Sequence, residues 1–569
     1  MKKFLPFLSL FFAHALNAQQ PTFQWGRAFG GLYTDNVSAQ AVDNAGNIFT
    51  TGNFSNTVDF DPGSGIFELT SNTGYTYISK LDASGNFLWA KSMLTGYSGA
   101  SGMEVDNAGN VYLTGYFGDT CDFDPGPGVF NLFCPGNLDA FVCKLNSAGE
   151  LVWAKSIGGF YSSDLASSIT VDASQNVYLL GSFDGTADFD PGAGIYELDP
   201  TVINQADSDL FIEKLDASGN FIWARTIGGP GSDAGWAIKV DESGSVYTTG
   251  YFSGTGDYDP GAQTYNLTPV GQNDIFISKL DATGNFVWAK KFGGASFEFV
   301  YSLVLDDDGN IFTTGIFGET VDFDPGNQTF NLTSTGFNSV FISKLNSSGE
   351  FVWARKVGGG GSNNSNSIAV DAAGNSYTVG IFTGLVNFDP GSGVNIINSA
   401  DGYIFLLKLN ASGDFVSVTN FASLPADDYD WSFSHINLDA AGIMYIGGTF
   451  LGTDDLNPGS ESSNFTSSGD KDVFIIKLNQ GTITASNDVL SHSFTAYPNP
   501  SNGIINLKYV QLRNALFEIY TASGTLVSRR EITDESTLLD VSELVDGMYI
   551  LKVINEDGRI WTERISKID

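Results

Sequence analysis

Residues 301–317 read YSLVLDDDGNIFTTGIF, and residues 339–357 read SVFISKLNSSGEFVWARKV. Each stretch has two runs of alternating apolar and polar residues joined by a short turn of Asp, Gly, Asn or Ser, which is typical of a β-hairpin. The intervening residues 318–338 contain the phrase Asp-Phe-Asp-Pro-Gly. Together these stretches predict four antiparallel strands with a long loop between the second and the third.

This unit recurs along the chain. Its Pro-Gly phrase occurs seven times at a period of 63 to 69 residues, at Pro62, Pro125, Pro191, Pro260, Pro325, Pro390 and Pro458. The fourth strand follows only six of the seven third strands, and the missing copy stands at the other end of the chain as FQWGRAFGG from Phe23. An array of four-stranded units that borrows its last strand from the N-terminus predicts an all-β, seven-bladed β-propeller over residues 19–479.

The first hairpins also resemble a known family. The phrases DNAGNIFTTG, DNAGNVYLTG, DESGSVYTTG and DDDGNIFTTG begin at Asp43, Asp106, Asp241 and Asp306. They are similar to the bacterial β-propeller repeat of the DxxGNxYxTG type. The resemblance implies the same propeller fold, and it implies little about activity because propellers have many unrelated functions.

Composition and the N-terminus restrict the function. The formal net charge of −37 argues against nucleic acid as a partner, since phosphates need basic patches. Residues 1–18 have a basic start, a short apolar run and a small-residue exit, which predicts a secretory signal peptide. No later segment has the length of a transmembrane span. Separately, we expect the protein to be a monomer. The three cysteines, Cys121, Cys134 and Cys143, allow at most one disulfide.

The repeated phrase has two interpretations. Asp followed by Pro and Gly fits a tight turn, with the aromatic residue as an anchor. Alternatively, two carboxylates two residues apart in an extended segment point the same way and are candidate Ca²⁺ ligands, although Ca²⁺ prefers six to eight oxygens. The candidate calcium ligands are Asp59, Asp61, Asp122, Asp124, Asp188, Asp190, Asp257, Asp259, Asp322, Asp324 and Asp389.

Two sets of aromatic residues are further candidates for a site. Six Trp share one position of the fourth strand, and we interpret them as packing between units: Trp25, Trp89, Trp153, Trp223, Trp288 and Trp353. Trp236 and Tyr301 occupy one position at the start of two consecutive first strands, where most other units have Ser. This pair is a candidate carbohydrate platform, but its strand parity matches buried neighbours and therefore also fits a core role.

Residues 494–569 differ from the repeats. They follow a polar linker, 480–493, and contain short alternating strands with Gly turns, which predicts a small Ig-like β-sandwich. The segment resembles the C-terminal sorting domain of type IX secretion cargo in Bacteroidota, through Pro498, Pro500, Gly503, Gly547 and Tyr549. The resemblance implies recognition by the type IX machinery and a secreted or cell-surface location outside the outer membrane of a Gram-negative bacterium.

These observations favour a secreted binding or adhesion scaffold, with an extracellular glycan or protein as its ligand and Ca²⁺ as its only candidate cofactor. The alternative is a secreted polysaccharide hydrolase or lyase that uses carboxylates on the loops. Of three His, only His435 lies within the repeats, which makes a multi-His metal site or a Ser-His-Asp triad a poor fit. We therefore expect that the protein is not an enzyme.

Overall fold

The structure is a computed structural model of the chain. It describes residues 20–93, 97–202, 207–424, 434–459 and 461–480, and in the C-terminal region 495–497, 500–508, 515–521, 526–532, 536–554 and 560–568. The predicted signal peptide lies outside the described residues. All regular structure in the described part is β, and the strands pair antiparallel within each sheet.

Residues 22–479 contain seven four-stranded antiparallel units, each of which we call a sheet. Backbone pairing joins the units at 298–359 and 363–424 into one eight-stranded sheet and extends the unit at 234–294 to six strands. We number them 1 to 7 and call their strands inner, second, third and outer. In that order, the strands are Ala39–Val42, Ile48–Asp59, Glu68–Leu81 and Phe87–Met93 in sheet 1; and Ser98–Val105, Val111–Phe117, Asp139–Leu145 and Leu151–Ile157 in sheet 2. They are Leu165–Val171, Val177–Phe183, Asp209–Leu215 and Phe221–Ile227 in sheet 3; Ala234–Val240, Val246–Phe252, Asp274–Leu280 and Phe286–Gly294 in sheet 4; and Glu298–Leu305, Ile311–Phe317, Ser339–Leu345 and Phe351–Gly359 in sheet 5. They are Asn363–Val370, Ser376–Asn387, Ile396–Leu409 and Phe415–Leu424 in sheet 6; and His435–Leu438, Met444–Phe450, Asp472–Asn479 and Thr22–Phe29 in sheet 7.

Sheet 7 is composite. Its outer strand is the first strand of the repeat region, Thr22–Phe29, which pairs antiparallel with Asp472–Asn479. The inner strands of consecutive sheets contact one another, and the inner strand of sheet 7 contacts that of sheet 1. Both ends of the repeat region therefore belong to one sheet.

The alternating strand direction separates two faces. The first–second and third–fourth turns lie at one end of the sheets, which we call the turn face. The second–third loops and the links between sheets lie at the other end, which we call the loop face. Five of these loops contain a short hairpin: Thr120–Asp122 with Asn131–Phe133, Ala187–Asp188 with Glu197–Leu198, Gly256–Asp257 with Asn266–Leu267, Thr320–Asp322 with Asn331–Thr333, and Thr453–Asp455 with Asn464–Thr466.

The aromatic residue inside each phrase anchors the loop, as the sequence predicts. Phe323 is fully buried, and its ring meets that of Phe317, at the end of the second strand, edge-on with centroids 5.3 Å apart. Phe60, Phe123, Phe189, Tyr258 and Phe388 are equally buried, and sheet 7 has Leu456 at this position. Because aromatic side chains bury the largest apolar areas, these residues fix the loops to the sheets.

The C-terminal region contains two further antiparallel sheets. One consists of Thr495–Tyr497, Ile504–Lys508 and Ser536–Asp540, and the other of Leu526–Ile532, Ala515–Thr521, Gly547–Ile554 and Ile560–Lys567. Ile505 on the first sheet and Phe517, Leu551 and Ile565 on the second are buried. This is the strand content that the sequence predicts for a small sandwich.

Candidate functional site

The phrases first define loop geometry. The Asp322 Oδ1 atom accepts hydrogen bonds from the backbone N–H of Asp324 at 3.0 Å and of Phe330 at 2.8 Å, and the Asp324 Oδ1 atom accepts one from Gly326 at 2.8 Å. The same three bonds recur in the other six phrases, at Asp59 and Asp61, Asp122 and Asp124, Asp188 and Asp190, Asp257 and Asp259, Asn387 and Asp389, and Asp455 and Asn457.

This geometry explains both acidic positions of the phrase without a metal ion. Asn387 and Asn457 make the same bonds as their Asp counterparts, so an acceptor oxygen is sufficient and a charge is not required. Among the described residues, no group of three or more His, Cys, Asp or Glu is placed to hold a metal ion. Two carboxylates per phrase also fall short of the oxygens that Ca²⁺ prefers. Calcium binding stays a prediction that needs a direct test.

The phrases also connect neighbouring sheets. A Gly-Gly pair at the end of the outer strand of sheets 2, 3, 4, 5 and 7 lies against the phrase of the next sheet, where Gly293 pairs with Asp322 and Gly358 pairs with Asn387. Bridges of the same kind join Gly30 to Asp59, Gly158 to Asp188 and Gly228 to Asp257. A side chain on Gly359 would clash with the Leu385 carbonyl oxygen, so this close backbone approach requires glycine. In these five places the phrase therefore braces its sheet against the preceding one.

A Trp row adds further contacts between sheets, and a Lys row adds contacts within each sheet. The Trp353 ring covers Gly413 in the turn of the next sheet, and its Nε1 donates to the Ala411 carbonyl at 3.1 Å. Trp25, Trp89, Trp153 and Trp223 donate to the corresponding turns at 3.2 to 3.4 Å. On the third strand of every sheet, a Lys ammonium lies 4.6 to 5.1 Å from an aromatic centroid, as Lys279 does from Tyr247. The interpretation of the Trp row as packing between units agrees with these contacts.

Trp236 and Tyr301 each lie on a β-bulge. The register of five inner strands shifts at one equivalent residue, namely Ser101, Ser167, Trp236, Tyr301 and Asn366. A bulge adds one residue and changes which side the following side chains occupy. The parity argument that placed this pair with buried neighbours therefore does not extend across the bulge, and the choice between a core role and a carbohydrate platform stays a prediction. The bulged backbone also explains a glycine inside the second strand, because a side chain on Gly315 would clash with the Phe299 carbonyl.

The two rings contact each other across sheets 4 and 5. Their centroids lie 5.5 Å apart with the planes at 82°, and both side chains are half-buried. From Tyr301 a series of aromatic rings leads towards the loop face, through Phe299 at 6.5 Å and Phe297 at 5.9 Å to Phe337 at 5.8 Å. The platform residues are thus the inner end of an aromatic track whose outer end, Phe337, is exposed.

The links of the loop face contain exposed apolar side chains. We call this set the loop-face rim, and its members are 54 to 84% exposed: Leu32, Tyr33, Tyr97, Phe160, Tyr161 and Phe337. Tyr161 also has a φ of 62°, in the left-handed region that non-glycine residues seldom adopt. Exposed apolar groups gathered on one surface mark interaction sites. The sequence analysis missed this rim because each link differs in its residues.

Buried acids lie beneath the same links. Asp35, Asp164, Asp233 and Glu298 are at most 1% exposed, and each accepts a hydrogen bond of 2.7 to 3.1 Å from the second glycine of a Gly-Gly pair. Burial raises the pKa of Asp35 to about 6 and those of Asp164, Asp233 and Glu298 to about 8. A carboxyl group with a raised pKa is common in catalytic sites. These side chains are at most 1% exposed, so a substrate cannot reach them, and their hydrogen bonds hold the links in place.

The cysteines and the sorting segment complete the set of predicted residues. Cys121, Cys134 and Cys143 are buried, and no disulfide joins them in the described structure. In the sorting segment, Pro500 is exposed, the Gly503 carbonyl accepts from Val541 N–H at 2.7 Å, and the Tyr549 hydroxyl donates to the Val545 carbonyl at 2.7 Å. Gly547 begins a strand that pairs with the last one. Pro498 lies outside the described residues.

These features define an all-β repeat protein with a separate C-terminal β segment. Residues 495–567 match the family model described as "Secretion system C-terminal sorting domain". This domain indicates export through the type IX secretion system to the cell surface or the extracellular space. In the part of the chain that the structure describes, no helix is long and apolar enough to cross a membrane.

Similarity to known proteins over the repeats is distant. An uncharacterized WD repeat-containing protein of Acanthamoeba polyphaga mimivirus is 25% identical over 457 residues, which is 67% of this chain and 32% of that protein. The chain thus spans about a third of that relative's length. A fungal alcohol oxidase solved with copper is 15% identical with a TM-score of 0.38, covering 96% of this chain and 100% of that one. PorZ, a surface component of the type IX secretion system of Porphyromonas gingivalis, is 13% identical with a TM-score of 0.27, covering 94% and 70%.

Proposed function

We propose that the seven sheets form a seven-bladed β-propeller. The inner strands contact one another in a cyclic order, and the N-terminal strand completes sheet 7. Closure of this kind removes the exposed edges that an open array would leave at its two ends. The mimiviral relative is named for WD repeats, which are propeller repeats, and this similarity supports the proposal.

The function that we propose is an exported scaffold that binds an extracellular ligand through its loop face. The observation that carries the proposal is the loop-face rim, which gathers Leu32, Tyr33, Tyr97, Phe160, Tyr161 and Phe337 on one surface. Water-exposed rings of this size lower solubility, so a secreted protein that keeps them on one face gains by covering them with a ligand. Glycans are one suitable ligand because aromatic rings bury the apolar faces of sugars.

The aromatic track gives this surface depth. It connects the exposed Phe337 to the half-buried pair of Trp236 and Tyr301, and the Trp236 Nε1 donor is buried without a hydrogen-bond partner in the described structure. Since a buried donor without a partner costs about 1–3 kcal/mol, a ligand or water oxygen at this position would be favourable. The candidate platform is therefore part of the proposed binding surface.

A binding and turnover screen tests the proposal. The mature chain is applied to arrayed glycans and to intact bacterial and host cell surfaces, beside a variant in which Phe160, Tyr161 and Phe337 are changed to Ser. We expect the variant to lose at least tenfold in affinity while its melting temperature is unchanged. Equal binding by both proteins would refute the loop face as the binding surface. Release of products from a polysaccharide, abolished by loop-face Asp→Asn changes, would favour the hydrolase or lyase alternative.

A further inference from the structure

Five aromatic side chains form a second repeated feature, outside the loop-face rim. They stand eight residues after the first Asp of a phrase; four of them are 37 to 41% exposed, and Phe330 is half-buried. We call them the groove rings: Phe67, Phe130, Tyr196, Tyr265 and Phe330. Four of them cover the first residue of the outer strand of their own sheet, with centroids 4.8 to 4.9 Å apart, as Tyr196 covers Phe221. One face of each such ring is packed, and the other is open to solvent.

The open faces lie in grooves between adjacent sheets. The groove between sheets 3 and 4 is a cavity of about 230 Å³. Tyr196, Arg225 and Thr226 line it from sheet 3, and Asp259, Pro260 and Phe286 line it from sheet 4. The groove between sheets 5 and 6 has Phe330, Arg355 and Asp389 in the places of Tyr196, Arg225 and Asp259, and Lys356 in the place of Thr226. It is larger, about 1040 Å³, and Met548, Tyr549 and Arg564 of the C-terminal region also line it. An aromatic ring, an Arg and an Asp therefore recur in two of the grooves.

Some polar groups of the groove between sheets 3 and 4 already make hydrogen bonds within the protein, and others do not. The Arg225 guanidinium donates to the carbonyls of Ala224, Thr283 and Gly284 at 2.7 to 3.0 Å, so it fixes the wall between the sheets. The Thr226 hydroxyl is buried without a hydrogen-bond partner in the described structure. Asp259 lines the groove and uses its Oδ1 atom for the Gly261 N–H, and its Oδ2 atom makes no hydrogen bond within the described structure. One ring face, one hydroxyl and one carboxylate oxygen therefore remain for a ligand.

The loop itself does not need an aromatic residue at this position. Sheet 6 has Asn395 and sheet 7 has Ser463 there, and the backbone N–H of each still donates to the first residue of its phrase at 2.8 Å. Phe415 begins the outer strand of sheet 6, and Phe23, the second residue of the outer strand of sheet 7, is its equivalent; neither has an aromatic cover from this position. Loop formation consequently does not explain why five sheets keep a ring.

We propose that the groove rings form a multivalent binding site for a neutral polysaccharide, with one sugar ring stacked in each occupied groove. A sugar presents an apolar C–H face to the ring and hydroxyls to acceptors such as the Asp259 carboxylate. The cavity between sheets 3 and 4 is smaller than the roughly 300 Å³ at which drug-sized sites begin, and this volume suits a single sugar ring. The net charge of −37 disfavours anionic polymers, and equivalent sites at regular intervals match a polymer of equivalent units.

Affinity electrophoresis of the full mature chain tests this proposal. The probes are soluble starch, mixed-linkage β-glucan and mannan as neutral polymers, and alginate as an anionic one. The groove variant changes all five groove rings to Ser, the residue that sheet 7 carries. A matched control changes five outer-strand residues that are 44 to 52% exposed to Ser: Leu88, Val152, Ile222, Val287 and Val352.

We expect retention by at least one neutral polymer, loss of about a hundredfold or more in apparent affinity for the groove variant, and no loss for the control, because linked sites multiply their affinities. The single change Tyr196→Ser should cost only a few-fold. Binding to alginate alone, or equal retention of groove variant and wild type, would overturn the proposal. The loop-face variant of Phe160, Tyr161 and Phe337 separates the two proposals, since it should keep its retention here.

Discussion

Glu213 is a buried carboxyl without a hydrogen-bond partner in the described structure, and it allows a quantitative prediction. It lies in the third strand of sheet 3, is fully buried, and neither carboxyl oxygen has a partner there. Sheets 4 and 5 have Ser278 and Ser343 at this position, and these hydroxyls hydrogen-bond to threonines of the second strand at 2.6 and 2.7 Å. In the described structure, Glu213 therefore lacks the hydrogen bond that Ser makes at the same position in sheets 4 and 5.

The effect of Glu213 on the free energy of unfolding follows from the protonation of its carboxyl group. Burial, followed by the negative charges of Asp190 and Asp188, raises the pKa of Glu213 well above its ordinary value of 4.5. The folded protein therefore keeps this carboxyl protonated to higher pH than the unfolded chain does, so the group destabilises the fold increasingly as the pH rises above 4.5. Each pH unit over which only the unfolded chain is ionised costs about 1.36 kcal/mol.

Glu213→Gln removes this cost because the amide is neutral at every pH and has nearly the same shape. We expect the free energy of unfolding, measured by urea titration, to rise at pH 7 and to change little at pH 4.5, with the gain growing by at most about 1.36 kcal/mol per pH unit. Glu197→Gln, at an exposed position in the second–third loop of the same sheet, is the control and should change neither value. A gain of equal size at both pH values, or no gain at pH 7, would refute the reasoning.

Three further predictions concern the links, the sheet contacts and the phrases. Burial, reinforced by the neighbouring charges of Asp209 and Asp207, gives Asp233 a folded pKa of about 8 against an ordinary 3.8. The folded state therefore binds more protons between these values, so stability should fall as pH rises from about 4 to 8, and Asp233→Asn should flatten that slope in thermal melts; an unchanged slope would contradict the assignment. Trp353→Ala should cost about 3–5 kcal/mol in urea titration because it removes a nearly buried ring between sheets 5 and 6, and a loss under 1 kcal/mol would contradict the packing role. If the phrases bind Ca²⁺, calorimetry should show a melting temperature that rises with calcium and falls with chelator, less so in Asp322→Asn/Asp324→Asn; no calcium-dependent shift would leave the phrases as turns alone.

Much of the fold could be predicted from the sequence because each unit repeats its local signals. The alternation in residues 301–317 and 339–357 defines two hairpins, and the structure places strands at Ile311–Phe317 and Ser339–Leu345 as expected. The displaced outer strand was predictable by counting, since a missing copy after Asp472–Asn479 is balanced by the extra one at Thr22–Phe29. Repetition turns a weak single-strand signal into a strong one.

The candidate site was less predictable, for physical reasons. The bulges at Trp236 and Tyr301 shift the strand register, and an alternating pattern does not show such a shift, so strand parity could not place these two side chains. The backbone partners of the two Asp of a phrase lie up to eight residues away and are not visible in a pattern, so the sequence could not show that both residues fix the loop. The groove rings had a readable signal, an aromatic residue eight positions after the first Asp in five of seven units, but its exposure becomes evident only when neighbouring sheets are present.

Closure of the sheet array is the claim on which the loop face and the grooves depend. Thr22 and Asn479 are paired in the antiparallel register of sheet 7, where Cα atoms lie about 4.5–5.5 Å apart, within the range that a disulfide spans. The native cysteines are buried and should not compete. We predict that Thr22→Cys/Asn479→Cys in the full mature chain oxidises to an intramolecular disulfide, seen as faster migration without reductant and as a 22–479 link in peptide mapping. Free thiols or only intermolecular dimers at these two positions would contradict closure of the array through its N-terminal strand.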